Sequence, residues 1–352
     1  MQHAHIRDAW AKMTDRLKSG AGHFPKTFAV APMMDWTDRH CRVFHRILSR
    51  RAILYTEMVT AEAVIHGDRE RLLGYDPVEH PVVVQLGGAD PRKMARAARI
   101  CADFGYDAIN INVGCPSDRV QKGRFGAVLM KEPETVARIA EAMMQAVDVP
   151  VTVKCRIGVD DMDADADLDR FVDIVAQAGV RTFIIHARKA WLEGLDPKAN
   201  RTKPPLNRAR VHRLKQRRPD LEIIINGELA TMADCQEQLR HVDGVMMGRA
   251  AYQTPWVLAG VDPELFDEPA PVASPVEAVE RFMPYVKRML ARGVPLHAMV
   301  KHTLGIFHGL PGARLYRRHI SENATRPGAG IEVLQQALDE VRNRLARRPA
   351  AE

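Results

Sequence analysis

Asn110-Ile111-Asn112-Val113-Gly114-Cys115-Pro116-Ser117 places two carboxamides on a segment that is otherwise apolar. A period of two sends Asn110 and Asn112 to one face of a strand and Ile111 and Val113 to the other. Amides on a core-type strand are costly unless something satisfies them. The run ends in a Gly-Cys-Pro turn, where Gly114 loosens the backbone and Pro116 stiffens it, so the thiol of Cys115 stands just past the strand end. Taken alone, the octapeptide fits a strand end with an inert buried thiol as well as it fits one wall of a site. The surrounding chain has to decide.

Seven further short apolar runs share its style, at 28–32, 52–57, 82–86, 151–155, 182–186, 222–226 and 244–247. Each is rich in Val, Ile or Thr, lacks clean alternation and is bounded by turn residues or charge, as strands buried on both faces are. Helical spacing fills most of the gaps. Residues 92–104 turn Met94, Ala97, Ala98 and Cys101 inward, and 133–147 and 167–178 repeat the pattern. Asp90-Pro91 and Glu132-Pro133 are helix starts, and Gly105 and Gly179 stand where helix-ending glycines belong. Eight strands alternating with helices predict an α/β fold, a (β/α)8 TIM barrel. The alternative, an open doubly wound sheet, wants a Gly-x-Gly-x-x-Gly turn after an early strand, and none is present. The expected organisation is an N-terminal lead at 1–27 with a short helix over 9–17, the barrel at 28–261 and a Pro-rich acidic linker at 262–275. A small C-terminal all-α helical domain follows at 276–352, with helices over 276–292, 296–307, 312–323 and 331–347.

Composition narrows the class. With 46% hydrophobic and 27% charged residues in 352, the chain reads as a soluble globular protein. Its net charge of +7 is uneven, because 270–352 holds 13 Lys+Arg against 7 Asp+Glu. That surplus points to an anionic partner for the helical part. The five cysteines, Cys41, Cys101, Cys115, Cys155 and Cys235, form no Cys-x-x-Cys pair, which argues against a disulfide framework or structural zinc and for a cytoplasmic protein. No secretory signal is read at the N-terminus, and no apolar run approaches the roughly 20 residues of a membrane span. The acidic run at 160–169 invites a calcium loop. Counted from Asp163, however, the sixth and twelfth positions are Leu168 and Ile174 rather than Gly and Glu, so a solvated loop and no metal are expected.

In a barrel of this kind the chemistry sits at the C-terminal ends of the strands. Those ends hold Gln85, Asn112 with Cys115, Lys154, His186, Asn226-Gly227 and Gly248-Arg249. Burial disfavours the charge of a Lys that follows Val-Thr-Val. One Lys, one His, one Arg and two Gly-containing turns, with hardly a carboxylate, suit an anion, and the turns after strands seven and eight are where such barrels bind phosphate. Gln85 and Asn112 offer paired donors and acceptors to a planar heterocycle. A phosphorylated flat cofactor fits, with FMN the candidate, and no metal is expected because no His/Asp/Glu cluster shares those ends. Cys115, a thiol with an ordinary pKa of about 8.5, can deliver a proton. Reduction of a C=C bond conjugated to a carbonyl needs that proton together with a hydride.

Ala31-Pro32-Met33-Met34-Asp35, Val84-Gln85-Leu86-Gly87-Gly88, the Asn110 run, Val153-Lys154-Cys155-Arg156, Ile185-His186-Ala187-Arg188, Ile225-Asn226-Gly227 and Met247-Gly248-Arg249 together resemble the tRNA-dihydrouridine synthases. The resemblance spans about 28–329. The stretch His186-Ala187-Arg188-Lys189-Ala190-Trp191-Leu192-Glu193-Gly194-Leu195, with Asn200-Arg201 and Pro204-Pro205-Leu206, resembles the DusA subfamily, which acts on positions 20 and 20a of the tRNA D-loop. The resemblance implies an FMN-bound barrel, a helical tRNA-binding domain and NADPH as electron donor. By position, Pro32, Met33 and Met34 would line the flavin and Gln85 would bind its ring system. Lys154 and His186 would contact it, and Asn226, Gly227, Glu228, Gly248 and Arg249 would hold its phosphate. Cys115 would be the proton donor and Asn112 would help place a flipped uracil. A stacked uridine must be extruded to reach such a site, and a folded RNA needs many phosphate contacts. Arg201 and Pro204 in the barrel loop, and Lys301, Arg314, Arg317 and Arg318 in the helical part, are the candidate tRNA contacts. A monomer is expected, with no separate dinucleotide motif for NADPH. Two other readings compete: a lyase using Lys154 as a Schiff base, and a non-catalytic RNA-binding protein with the barrel as scaffold.

Overall fold

A computed structural model describes residues 26–117, 120 and 123–346 of the chain. The helix expected over 9–17 lies outside the described residues. Strands β1 (Thr27–Val30), β2 (Leu54–Thr60), β3 (Val82–Gly87), β4 (Ala108–Val113), β5 (Val151–Arg156), β6 (Thr182–His186), β7 (Glu222–Asn226) and β8 (Gly244–Met247) form one sheet. They pair in the order β1-β8-β7-β6-β5-β4-β3-β2, every neighbour parallel. A parallel bridge between Ala29 and Ile53 closes the ring, with Val30 N–H on the Ile53 carbonyl and Ile53 N–H on the Phe28 carbonyl, each at 2.9 Å. This is the predicted (β/α)8 topology.

Helices alternate with the strands where the start and stop signals place them. Pro91–Asp103 begins with its proline in the first turn, and the Asp90 carboxylate accepts Lys93 N–H at 2.9 Å. Gly105 and Gly179 both take positive φ, 93° and 108°, just past the helices Pro91–Asp103 and Ala166–Gln177. Two elements end three or more residues from the expected position, while others shift by one or two. The second strand runs on to Thr60 because its pairing with β3 resumes after a register shift between Tyr55 and Met58. The helix expected over 296–307 stops as Leu296–Val300 and continues as the 3-10 turn Lys301–Thr303. There the chain is drawn to the Asp38 carboxylate by Lys301 (3.3 Å) and His302 (2.9 Å), and Gly305 passes so close to Gln253 that a Cβ would lie 2.1 Å from its carbonyl oxygen.

The chain divides into two compact units. One holds all eight strands: the described residues up to Met34, Ile53–Leu229 and Ala233–Gly248. Its centre is an apolar layer of Ala29, Ala31, Ile53, Tyr55, Val83, Ala108, Ile184, Ile224 and Met246, contributed by alternate positions along the strands, with Met33 against it. Toward the strand C-termini the next inward positions turn polar. The other unit gathers Asp35–Ala52, Ala230–Met232 and everything from Arg249 on. Helix Arg39–Leu48 therefore groups with Pro275–Leu290, Ala313–Asn323 and Ile331–Ala346. Phe44 packs on Phe282 and Phe307 on Tyr316, with ring centroids 5.2 and 4.8 Å apart. The first half of the expected linker is not extended chain, since Val261–Phe266 is a helix whose buried Asp262 accepts from Ser49 Oγ, Arg50 N–H and Arg51 N–H. Among the described residues no helix is long and apolar enough to cross a membrane.

At the N-terminal end of the barrel, Glu222 is buried between Thr27 Oγ1 (2.9 Å) and Thr182 Oγ1 (2.7 Å). Desolvation raises its pKa against the help of those hydroxyls. A raised carboxyl favours the protonated folded state. Its stabilising contribution is full below the ordinary carboxylate range and is lost as pH rises through the folded-state value. Glu222→Gln is therefore expected to gain stability relative to the parent as pH climbs toward neutral. Urea denaturation of both proteins across that range checks this; parallel pH curves would refute it.

Candidate active site

The amides of the Asn110 run are satisfied by a relay across three strands. Asn110 Nδ2 donates to Thr152 Oγ1, Gln85 Nε2 donates to Asn110 Oδ1, and Asn112 Nδ2 donates to Gln85 Oε1, each at 2.8 Å. The relay ends in the turn, where Asn112 Oδ1 accepts the N–H groups of Gly114 (3.1 Å) and Cys115 (3.0 Å). An amide that looks anomalous in sequence thus acts as the template for the turn that presents the thiol. Cys115 is half-buried while the other four cysteines are buried, and its Sγ lies 3.5 Å from Ser117 Oγ. From the far side, Ala127 N–H holds the Cys115 carbonyl at 2.9 Å. Gly126 permits that approach: its φ is 75°, and a Cβ there would lie 2.6 Å from the Cys115 oxygen.

Lys154 is in register with Asn112 on β5, and its Nζ lies 3.3 Å from Asn226 Oδ1 on β7. Asn226 Nδ2 in turn donates to the Met246 carbonyl at 2.8 Å. Burial pushes the Lys154 ammonium down to about 8, with repulsion from Arg156 adding to the effect. His186 falls between them in register, beside Arg156 on one side and Asn226 on the other. Beyond β7 the backbone turns left-handed at Gly227 (φ 136°) and again at Glu228 (φ 49°), a conformation non-glycine residues avoid. Arg208 holds both carbonyls, at 3.2 and 2.7 Å, and Arg188 pairs with the Glu228 carboxylate while donating to the Pro204 carbonyl. Gly248 faces open space, since a Cβ there would meet nothing within 4 Å. Pro32, Met33 and Met34 follow β1, with Met33 against the apolar layer and Met34 exposed. Among these strand-end groups the one carboxylate, Glu228, is neutralised, and no group of described residues is arranged to hold a metal. The donors fit a flat ligand with an anionic arm.

The strand ends thus bring together Gln85, Asn112, Cys115, Lys154, His186 and Asn226, and the Gly227–Glu228 turn continues from Asn226. Arg201 lies farther along the loop after β6, donating to the Pro197 carbonyl at 2.9 Å. Arg249 opens the short helix Arg249–Gln253 and is counted in the other unit, as are Lys301, Arg314, Arg317 and Arg318. The last three are exposed on Ala313–Asn323, with Arg317 bordering the buried stripe of Ala313, Tyr316 and Ile320.

One residue has a role that its place in the Val153–Arg156 motif did not disclose. Arg156, buried, donates Nε to the Gly114 carbonyl (2.9 Å) and Nη1 to the carbonyls of Lys189 (2.9 Å) and Asn200 (3.0 Å). A single guanidinium ties the Cys115 turn to the loop after β6. Burial lowers its pKa to about 10. Its spacing of two from Lys154, hence the same strand face, is the sequence signal that points to it.

Asn112→Ala removes the acceptor for two turn N–H groups and the donor to Gln85. A loss of about 1–3 kcal/mol in stability is expected, together with alkylation of Cys115 several-fold faster than in the parent. Iodoacetamide labelling reads this cleanly because the other thiols are buried. Unchanged labelling and stability would show that the turn holds without Asn112.

A family model described as dihydrouridine synthase (Dus) matches residues 29–342. The tRNA-dihydrouridine(20/20a) synthase of Yersinia pestis is 55% identical over 312 residues, covering 88% of this chain and 90% of that protein. The proteins of the same description from Vibrio vulnificus and Xanthomonas axonopodis pv. citri are 54% and 55% identical, covering 89% and 88% of this chain and 96% and 92% of their own length. With a parallel eightfold barrel, a thiol turn at the end of β4 and a cationic rim at the end of β5, the chain belongs to the dihydrouridine synthase family.

Proposed function

We propose that this protein reduces uridine to 5,6-dihydrouridine at positions 20 and 20a of the tRNA D-loop, as a cytoplasmic monomer using FMN and NADPH. The observation that carries the reading is the Cys115 turn, built by Asn112 and Arg156 beside a rim of amides and cations. FMN, when bound and reduced by NADPH, supplies the hydride that uracil C6 receives.

The chain's own residues do the rest. Gln85 is held in plane by Asn110 and Asn112 and offers its remaining capacity to a ring edge. Lys154 and His186 contact the flavin, and the positive charge of Lys154, disfavoured by burial, gains from an anionic neighbour. The Asn226-Gly227-Glu228 and Gly248-Arg249 turns hold the ribityl phosphate, and Pro32, Met33 and Met34 line the ring system. Cys115 keeps a proton on Sγ and delivers it to uracil C5; the thiolate left behind is reprotonated from solvent. One Nδ2 hydrogen of Asn112 goes to Gln85, so the other is the one available to an extruded uracil. Exposed Arg201 on the loop after β6, and Lys301, Arg314, Arg317 and Arg318 in the other unit, are the tRNA contacts; Pro204 is buried and serves that loop instead, its carbonyl accepting from Arg188.

The purified protein is expected to be yellow and to release FMN on denaturation. Cys115→Ala should keep the flavin and NADPH oxidation while losing dihydrouridine formation by about 100-fold or more, the usual weight of a positioned acid. Mapping dihydrouridine in tRNA from a deletion strain carrying either version tests reaction and position together. Undiminished modification by the Ala variant would remove Cys115 from the mechanism.

Arg317→Ala is expected to weaken tRNA binding, to reduce the slope of log affinity against log salt by about 1, and to leave NADPH oxidation intact. Equal losses in both assays would place Arg317 outside the tRNA surface.

A further inference from the structure

Trp191, in the loop after β6, is 42% exposed, one of three large exposed hydrophobic residues among those described. An indole left in water beside a cationic site requires a reason, because aromatic side chains bury large area when they can. A loose loop is not that reason. The carboxamide of fully buried Asn200 accepts Trp191 N–H at 2.8 Å and donates to the carbonyls of Trp191 (2.8 Å) and Leu195 (3.0 Å). Ala190 exchanges backbone hydrogen bonds with Gly158 (3.0 Å) and Asp160 (2.8 Å), and Leu192 N–H is held by Asp160 Oδ1 at 2.8 Å. The backbone is pinned before, at and after the indole, yet the residue keeps 42% of its surface exposed.

The loop is also tied to the chemistry. The Arg156 guanidinium that holds Gly114, next to Cys115, holds Lys189 and Asn200 as well. Exposed Lys198, Arg201 and Lys203 follow in the same loop and outnumber its exposed acids Glu193 and Asp196, the latter accepting Ala199 N–H at 2.6 Å. An exposed indole on a pinned backbone, with exposed cations in the same loop, is the chemistry that meets single-stranded nucleic acid, with bases on the ring and phosphates on the cations.

We propose that Trp191 is a stacking platform for a nucleobase adjacent to the target uridine, with Lys198, Arg201 and Lys203 meeting the phosphates beside it. This rests on the reading of the protein as acting on tRNA. Extruding one uridine leaves the faces of its neighbours unstacked, and an indole held in place compensates for that loss. Because every base has a π-face, such a platform accepts the next nucleotide as readily when the target shifts by one position. That property suits an enzyme acting at two consecutive sites.

The test compares flavin-loaded parent, Trp191→Ala, Trp191→Leu and Trp191→Phe in steady-state kinetics with tRNA, with NADPH-driven flavin reduction measured separately. Parent protein that forms no dihydrouridine overturns the proposed function itself, and that is read before any variant. Given an active parent, Ala and Leu are expected to raise KM for tRNA roughly 5- to 100-fold, in line with one stacked base. Phe should stay within a few-fold, and flavin reduction should be unchanged in all three. An Ala variant with unaltered KM overturns the platform. So does a Leu variant that matches the parent, which would reduce the role to apolar bulk, and so does a loss in flavin reduction parallel to the loss with tRNA, which would make Trp191 a structural residue of the barrel.

Discussion

An amide facing the inside of a parallel barrel must find a partner there, and most of the site follows from that requirement. Asn110, Gln85 and Asn112 satisfy one another across β3 and β4, Asn110 reaches Thr152 on β5, and the last acceptor in the relay organises the Cys115 turn. Buried and unpaired, each amide would cost on the order of 1–3 kcal/mol. Paired in series, they fix where the thiol stands. Position and stability are therefore coupled in this wall: a substitution that frees a carboxamide also releases the turn.

The second coupling is electrostatic. Lys154, half-buried, and Arg156, buried, lie on the same face of β5, and desolvation lowers the pKa of each. The carboxylate beyond β7, Glu228, is occupied by Arg188. The cationic character of the rim is thus left for a ligand to neutralise, while Arg156 uses its hydrogen bonds on backbone carbonyls. That guanidinium sets the Cys115 turn against the loop bearing Trp191, so the proposed proton donor and the proposed base platform share one anchor. The opposite end of the barrel has a different character. Glu222 there, hydrogen-bonded to two threonine hydroxyls, bears on stability and its pH dependence, as expected of the N-terminal face of such a fold.

Much of this was legible in the chain. Strands that must be buried on both faces need runs of Val, Ile and Thr, and the runs at 182–186, 222–226 and 244–247 coincide with β6, β7 and β8. Pro91, Pro133, Gly105 and Gly179 mark helix ends through fixed or unrestricted φ, a purely local property. The alternation of Asn110 and Asn112 sets their shared face, and the polar strand ends and basic last quarter follow from composition and position alone.

What only the tertiary structure decided are contacts whose partners lie far apart in sequence. That Asn110 meets Gln85 and Thr152, 25 and 42 residues away, depends on strand register, which no local pattern encodes. The same holds for the three carbonyls gathered by Arg156, the close approach of Gly126 to Cys115, and the grouping of helix Arg39–Leu48 with the C-terminal helices. Periodicity determines which way a side chain points; closure of the barrel determines what it meets.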